Sequence, residues 1–163
     1  QNQVGTAGTQ PLPNAQMDRF LVQLTIGYPD YESQMTLIRD RQLENPMEQV
    51  QQAADAAALV SMQQEVRRVA MDDKIIDYIT RLAMASRAHP LLRRGALAVS
   101  RMAKACAYLH GRDYTLPEDV QEIFADVCAH RVLLSQQAKT QQSTAQDVMQ
   151  ALLREVAMPD AAF

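Results

Sequence analysis

Cysteine and histidine, the residue types best suited to metal binding and nucleophilic chemistry, form no recognisable site in this sequence. Cys106 and Cys128 lie in apolar helical patterns and form no CxxC pair. The three histidines, His89, His110 and His130, are far apart in the sequence. Structural zinc sites use closely spaced Cys and His ligands. The sequence therefore predicts no metal site. Without a secretory signal, both cysteines are expected to be reduced core residues rather than a disulfide.

A phosphate-binding P-loop is also absent from the 163 residues. That loop needs the pattern G-x-x-x-x-G-K-[ST], whose backbone N–H groups and lysine surround the phosphates, and none of the five glycines begins it. No apolar run ends in Asp-Glu, the pair that would hold Mg²⁺. This chain alone is therefore not expected to hydrolyse a nucleoside triphosphate.

Composition narrows the possible partners. The chain is 47% hydrophobic with a net charge of −3, and its basic residues are scattered, so neither nucleic acid nor an anionic membrane is an expected partner. No apolar run approaches the roughly 20 residues that span a bilayer. We expect a cytoplasmic protein without membrane insertion. Because it opens on a loop-like stretch at Gln1 rather than Met, it is expected to begin partway through a domain.

Helical spacing of alanine and leucine predicts a mainly α chain, with one candidate strand. Phe20–Ile26 is a short apolar run that predicts one buried strand or an extended segment. As a lone strand it would have partners outside this chain or would cap a helical body. Asp30 is placed to cap the next helix. The polar, alanine-rich residues 47–59 are expected to form a weakly packed helix or a connector. Ser61 with Gln64 predicts a capping box at the start of the following short helix.

The later helices carry clearer signals. Asp72 begins one of them, residues 93–110 form another with Gly111 as its stop, and Thr115 with Glu118 predicts a capping box for the next. Apolar stripes are predicted at Ile75, Ile76, Ile79, Leu82 and Ala83, then at Leu97, Ala98, Met102, Ala105, Cys106 and Leu109, and finally at Val148, Leu152, Leu153 and Val156 in a C-terminal helix.

Three strings resemble parts of the MoxR branch of AAA+ ATPases. The first resembles the stretch that joins sensor 1 to the arginine finger, and it departs from the family at Gln3, Gln10 and Met17. The other two resemble the start of the helical lid and the lid's sensor 2 helix with its following turn. The strings are Gln1-Asn2 through Gly8-Thr9 and Pro11-Leu12-Pro13 to Met17-Asp18-Arg19-Phe20; Val60 to Glu65-Val66, Asp77-Tyr78-Ile79 and Arg87-Ala88-His89-Pro90; and Arg94-Gly95-Ala96-Leu97, Gly111-Arg112-Asp113-Tyr114 and Pro117-Glu118-Asp119-Val120.

The resemblance implies roles for three residues. Asn2 would be the sensor 1 residue that orients the attacking water. Arg19 would be the arginine finger, reaching the nucleotide of a neighbouring subunit in trans. Arg94 would be sensor 2, contacting the ATP γ-phosphate from its own subunit, although the loop before it is shorter than usual. A guanidinium suits both the arginine finger and the sensor 2 position, because it stays protonated while negative charge builds on the phosphate oxygens.

The resemblance also implies a fold and a domain order. We expect an AAA+ helical lid bundle preceded by a remnant strand and loop of the α/β ATPase core. Residues 1–29 would end the core, 30–60 would be connecting helices, 61–135 would form the lid with sensor 2, and 136–163 would be a linker and C-terminal helix.

The implied function is that of the sensor and lid portion of a ring ATPase with a chaperone role in assembling or activating other complexes. ATP and Mg²⁺ would be cofactors of the full-length protein and would not bind this chain tightly. Its partners would be a homo-oligomeric ring, a hexamer by family analogy, and a client complex, for which a von Willebrand factor A-type domain is one candidate. The alternative is a non-catalytic helical protein-interaction module, whose arginines only solvate its surface. Walker motifs upstream of Gln1 would favour the ring ATPase over the interaction module.

Overall fold

The computed structural model describes residues 12–41, 46–86, 95–132, 140 and 143–160. Across these residues the regular structure is helical, which confirms the predicted mainly α class. Two 3-10 turns, Pro46–Gln49 and Ala129–Arg131, accompany the helices. The helices are α1 (Asn14–Met17), α2 (Tyr31–Arg41), α3 (Ala56–Arg68), α4 (Asp73–Ala85), α5 (Gly95–Leu109), α6 (Pro117–Cys128) and α7 (Ala145–Glu155).

The chain divides into two compact units. The first comprises Gln1–Gln23 together with Glu65–Phe163, and the second comprises Leu24–Gln64. Only the first has a buried core among the described residues, because every described side chain of the second is exposed or half-buried. The first unit therefore holds the packing that could fix a functional site.

The core of the first unit is a four-helix cluster of α4 to α7. The contact between α5 and α6 is the most extensive, and α5 contributes mainly small side chains there, which lets the two helices lie close together. The buried members are Ile75, Tyr78, Ile79 and Leu82 of α4; Ala98, Val99 and Ala103 of α5; Val120, Phe124, Ala125, Val127 and Cys128 of α6; and Met149 of α7. Burying these apolar side chains stabilises the unit through the hydrophobic effect.

The loops before α4 and α6 are fastened to each other. Ala70 forms an isolated parallel bridge with Tyr114: the Ala70 N–H donates to the Asp113 carbonyl at 2.7 Å, and the Thr115 N–H donates to the Ala70 carbonyl at 3.0 Å. Gly111, at φ 73°, ends α5 as predicted. These contacts fix the turn that joins the two most closely packed helices.

Several helix boundaries and faces differ from the predictions. Helix α3 begins at Ala56 rather than near Ser61, because Asp55 accepts the Ala58 N–H at 2.7 Å and caps an alanine-rich run that continues the helix. At α6 the capping carboxylate is Asp119 rather than Glu118, and it accepts the Leu116 N–H at 2.7 Å. The predicted caps at Asp30 and Asp72 are confirmed.

Three residues of the predicted apolar stripes are exposed. Ile76 of α4 and Leu97 and Leu109 of α5 lie on the solvent side. The buried face of α5 keeps the predicted Ala98 and Cys106 and also includes Val99, Ala103 and Ala107. Helical spacing restricts the candidate faces, but an alanine-rich helix has apolar residues on more than one side, and tertiary packing selects between them.

Residues 20–26, predicted as a buried strand or an extended segment, form no strand within the described part of the chain, and most of their side chains are exposed. These residues are irregular, and the described part of the chain pairs none of them in a ladder. A strand needs a hydrogen-bonded partner, and the neighbour that the fold supplies is the end of α6, where the Gln23 N–H donates to the Asp126 carbonyl at 2.9 Å. The segment therefore caps a helical body at its N-terminal part, which is the second of the two alternatives that the sequence left open.

Candidate functional site

Arg19 projects from a tight turn that follows α1. The turn is closed by two hydrogen bonds, from the Arg19 N–H to the Gln16 carbonyl and from the Phe20 N–H to the Met17 carbonyl, both 3.1 Å long. The side chain of Arg19 is exposed and forms no ion pair with the residues that the structure describes. The turn therefore presents the Arg19 side chain to solvent.

The residues on either side of Arg19 are held by one buried arginine. Arg131 is 4% exposed, and its guanidinium donates from Nη2 to the Phe20 carbonyl at 2.5 Å and from Nη1 to the Val127 carbonyl. Its Nε lies 3.3 Å from Oδ1 of Asp18, whose side chain is 17% exposed. A buried guanidinium needs such partners to offset its desolvation. The Arg19 turn is consequently fastened at Asp18 and at Phe20.

His130 adds a second bond to the same carbonyl. Its Nε2 lies 3.1 Å from the Phe20 carbonyl oxygen, which can only accept, so Nε2 carries the proton. Burial lowers the pKa of His130, against the hydrogen bond to the Phe20 carbonyl, which raises it, and the positive charge of Arg131 lowers it further. The imidazole is therefore a neutral donor that fixes the turn without adding charge.

The other two predicted site residues, Asn2 and Arg94, lie outside the described residues. Helix α5 begins at Gly95, immediately after Arg94. Of the three predicted residues, Arg19 alone has a described environment, so the roles of all three stay predictions.

A second charged cluster lies where α5 turns into α6. Arg112 donates to both carboxylate oxygens of Asp119, at 2.6 and 2.8 Å, and Asp119 is almost completely buried. Burial by itself raises the pKa of Asp119, but the hydrogen bonds from Arg112 and the Leu116 N–H outweigh it and lower the pKa. The pair closes the turn between the two helices as an ionised carboxylate held by a bidentate guanidinium.

Cys106 and His110 lie beside this pair, one helical turn apart. Their ligand atoms and a carboxylate oxygen of Asp119 all lie within 4.8 Å of one another, a grouping that the sequence analysis missed although the Cys-x-x-x-His spacing signals it. Two features oppose a cation there. Arg112 already occupies Asp119 and lies 3.3 Å from Nδ1 of His110, and burial together with Glu122 raises the pKa of Cys106 to about 12.

Both cysteines are free and buried, as expected for reduced core residues. Burial raises the pKa of Cys128 to about 12 as well, so neither is a thiolate at neutral pH. Neither cysteine is a candidate nucleophile.

Comparison with known proteins identifies the four-helix cluster. Residues 76–152, which run from α4 into α7, match the AAA lid domain. Over 98% of its length the chain is 33% identical to the uncharacterized protein YeaC of Bacillus subtilis and 30% identical to the chaperone MoxR1 of Mycobacterium tuberculosis. A crystal structure of a protein from Cytophaga hutchinsonii, assigned as an ATPase, superposes with a TM-score of 0.87 at 30% identity over 98% of this chain.

The chain belongs to the MoxR family of AAA+ proteins. It spans about half the length of these relatives, covering 51% of YeaC, 45% of MoxR1 and 53% of the Cytophaga chain. Within this MoxR-family chain the matched lid contains Arg112, Asp119 and Arg131, whereas the Arg19 turn precedes it.

None of these three lid residues was a functional candidate in the sequence analysis. Arg131 follows the buried apolar residues Val127 and Cys128, and a charged residue at such a position is the available signal. Among the helices that the structure describes, none is long and apolar enough to cross a bilayer.

Proposed function

We propose that this chain is the sensor and lid portion of a MoxR-type AAA+ ATPase. In the full-length protein, ATP hydrolysis in an oligomeric ring would drive the assembly or activation of partner protein complexes, with ATP and Mg²⁺ as cofactors. The observation that carries the proposal is the exposed Arg19, presented on a turn whose two flanking residues are fixed to the lid core. A finger acting in trans needs this combination of a free guanidinium and a rigid base.

Assembly would then control hydrolysis. Arg19 of one subunit would offset the charge that builds on the phosphate oxygens in the next subunit, so an isolated subunit would be slow. Arg94 would contact the γ-phosphate in its own subunit and move the lid when that phosphate leaves. Asn2 would orient the attacking water. A ring of six subunits and a client with a von Willebrand factor A-type domain belong to the same proposal.

The first test is steady-state ATP hydrolysis by the full-length protein. Arg19→Ala is expected to lower kcat by about 1,000-fold, the scale of a finger supplied in trans, without preventing assembly. Arg39→Ala is the matched control, because Arg39 is an exposed arginine on α2. Equal rates for the wild type and Arg19→Ala would refute the finger.

A mixing experiment tests whether the residue acts between subunits. Arg19→Ala subunits keep an intact nucleotide site, whereas subunits with a disabled P-loop lysine keep an intact finger. Mixing the two inactive proteins is expected to restore part of the activity, because one orientation of each mixed interface contains both functional parts. Failure to restore activity in rings shown to contain both subunits would place Arg19 in its own subunit's site.

The alternative is a non-catalytic helical protein-interaction module. It is favoured by the many exposed apolar side chains between residues 24 and 64, among them Leu24, Ile26 and Tyr28. Under this alternative the full-length protein binds its partner without ATP, and Arg19→Ala changes neither binding nor turnover.

A further inference from the structure

We propose that Arg131 is a positioning residue that ties the arginine finger to the lid of the same subunit. The inference rests on the proposed function, and it adds a route by which the state of one nucleotide site would influence hydrolysis at the next. The contacts that carry it join the residues after α6 to the turn that holds Arg19.

The geometry makes Arg131 a clamp rather than a single tether. The guanidinium donates hydrogen bonds from Nη2 to the Phe20 carbonyl and from Nη1 to the Val127 carbonyl. Its Nε forms an ion pair with the Asp18 carboxylate at 3.3 Å, without hydrogen-bond geometry. Two of these partners flank Arg19, and the third belongs to α6. One planar group therefore joins the finger turn to the lid helix across 111 residues of sequence.

Charge and burial explain why the site needs an arginine. Its fork of N–H groups bonds several acceptors in fixed directions, whereas lysine offers a compact point charge. Because the group is 4% exposed, losing it removes a buried donor to the Phe20 carbonyl, which keeps His130 among the described residues, and removes one ion-pair partner of Asp18. The turn would remain near the lid but would no longer be held in one orientation.

The consequence is mechanical coupling. When the lid moves in response to its own nucleotide, Arg131 moves together with α6. Because Arg131 is bonded to the turn that holds Arg19, that turn moves with it. The finger would then engage the neighbour's phosphate only for some lid positions. Arg131 acts here through Arg19 and touches no nucleotide.

The test is a double-mutant cycle on ATP hydrolysis by the full-length protein. Arg131→Met is expected to lower kcat by roughly ten- to a hundred-fold, as expected for a misplaced reacting group, with KM for ATP unchanged. In an Arg19→Ala background the same substitution is expected to cause no further loss, because the finger that it positions is already missing. A residue with only a structural role would lower the rate in both backgrounds.

A second readout does not depend on turnover. Trypsin cleaves after arginine only where the backbone opens locally, so Arg131→Met is expected to speed cleavage after Arg19 in the folded protein by roughly ten-fold. Arg81→Met is the matched control: Arg81 pairs with Asp77 at 2.7 Å and bonds to the Ala157 carbonyl, far along the sequence from the turn. The control is expected to change neither kcat nor cleavage after Arg19.

Two milder variants keep the test decisive if Arg131→Met does not fold. Arg131→Lys and Asp18→Asn each weaken part of the clamp and are expected to give intermediate losses of kcat. If Arg19→Ala leaves hydrolysis unchanged, the proposed function fails and this role with it. If Arg19→Ala slows hydrolysis but the Arg131 variants keep the wild-type rate, or lower it equally in both backgrounds, only the positioning role is overturned.

Discussion

At the scale of single residues, the described lid depends on two arginines that do different work. Arg112 neutralises the buried Asp119 at the turn between α5 and α6, while Arg131, in the 3-10 turn that follows α6, contacts the Arg19 turn. Removing one partner of a buried ion pair costs far more than the pair contributes over an apolar replacement, because the other charge is left desolvated. The Arg112 pair is the clearer case for a stability measurement, since both of its partners lie within the matched lid.

Arg112→Met is expected to lower the free energy of unfolding by about 3 kcal/mol, because the carboxylate of Asp119 stays buried without its cation. Urea unfolding of this chain measures it. Arg81→Met, which removes a largely exposed i,i+4 pair with Asp77 and a hydrogen bond to the Ala157 carbonyl, is the control and is expected to cost about 1 kcal/mol. Equal losses of unfolding free energy for the two variants would show that Arg112 does not stabilise the turn.

The lowered pKa of His130 predicts an acid-sensitive turn. A group whose pKa is lower in the folded state than in the unfolded chain stabilises the fold above its unfolded value, here about 6.5, and that stability is lost as the pH falls. The wild type is therefore expected to lose more stability than His130→Gln between pH 8 and pH 5. Glutamine keeps an N–H donor for the Phe20 carbonyl but does not titrate. Parallel urea midpoints for the two proteins across this range would contradict the assignment.

At the scale of elements, the end of α5 is set by one left-handed residue. The Arg112 N–H donates to the Ala107 carbonyl and the Gly111 N–H to the Tyr108 carbonyl, both at 2.9 Å, which is the Schellman pattern. Gly111 supplies the positive φ that the pattern requires. The same turn places Arg112 opposite Asp119, so the conformation of the glycine and the ion pair belong to one structural feature.

Gly111→Ala is expected to cost about 1 kcal/mol of stability, from backbone strain alone, since no atom lies within 4 Å of the added Cβ. Gly27→Ala is a matched control: the space around Gly27 is equally open, but its φ is not positive. The control is expected to be neutral or slightly stabilising. Thermal unfolding of both variants decides the matter, and a neutral Gly111→Ala would show that the turn relaxes without a left-handed residue.

At the scale of the whole molecule, burial is confined to one of the two units. None of the described residues between 24 and 64 is buried, whereas α4 to α7 share a continuous core. Local stability follows buried apolar contact, so the two units should open with different free energies.

Hydrogen exchange of this chain is expected to show strong protection in α4, α5 and α6 and little protection in α2. The physical reason is that the amides of α2 can open without disturbing a core, whereas those of α5 open only when its packing against α6 is lost. Helix α7 provides an internal comparison, because one side chain, Met149, anchors it fully in the core. Its protection is expected to be intermediate, and uniform protection across all of these helices would contradict the division.

The sequence by itself determined the mainly α class, the caps at Asp30 and Asp72, the glycine stop at Gly111 and the family. These features are written in a few neighbouring residues, through hydrogen-bonding side chains, backbone freedom or contiguous motif strings. The tertiary structure alone decided that Leu97 and Leu109 face solvent and that Phe20–Ile26 is not a strand. It also decided that Arg131 contacts the residues on both sides of Arg19. Each of these depends on partners far apart in the chain, and local periodicity carries no information about which distant group will be the neighbour.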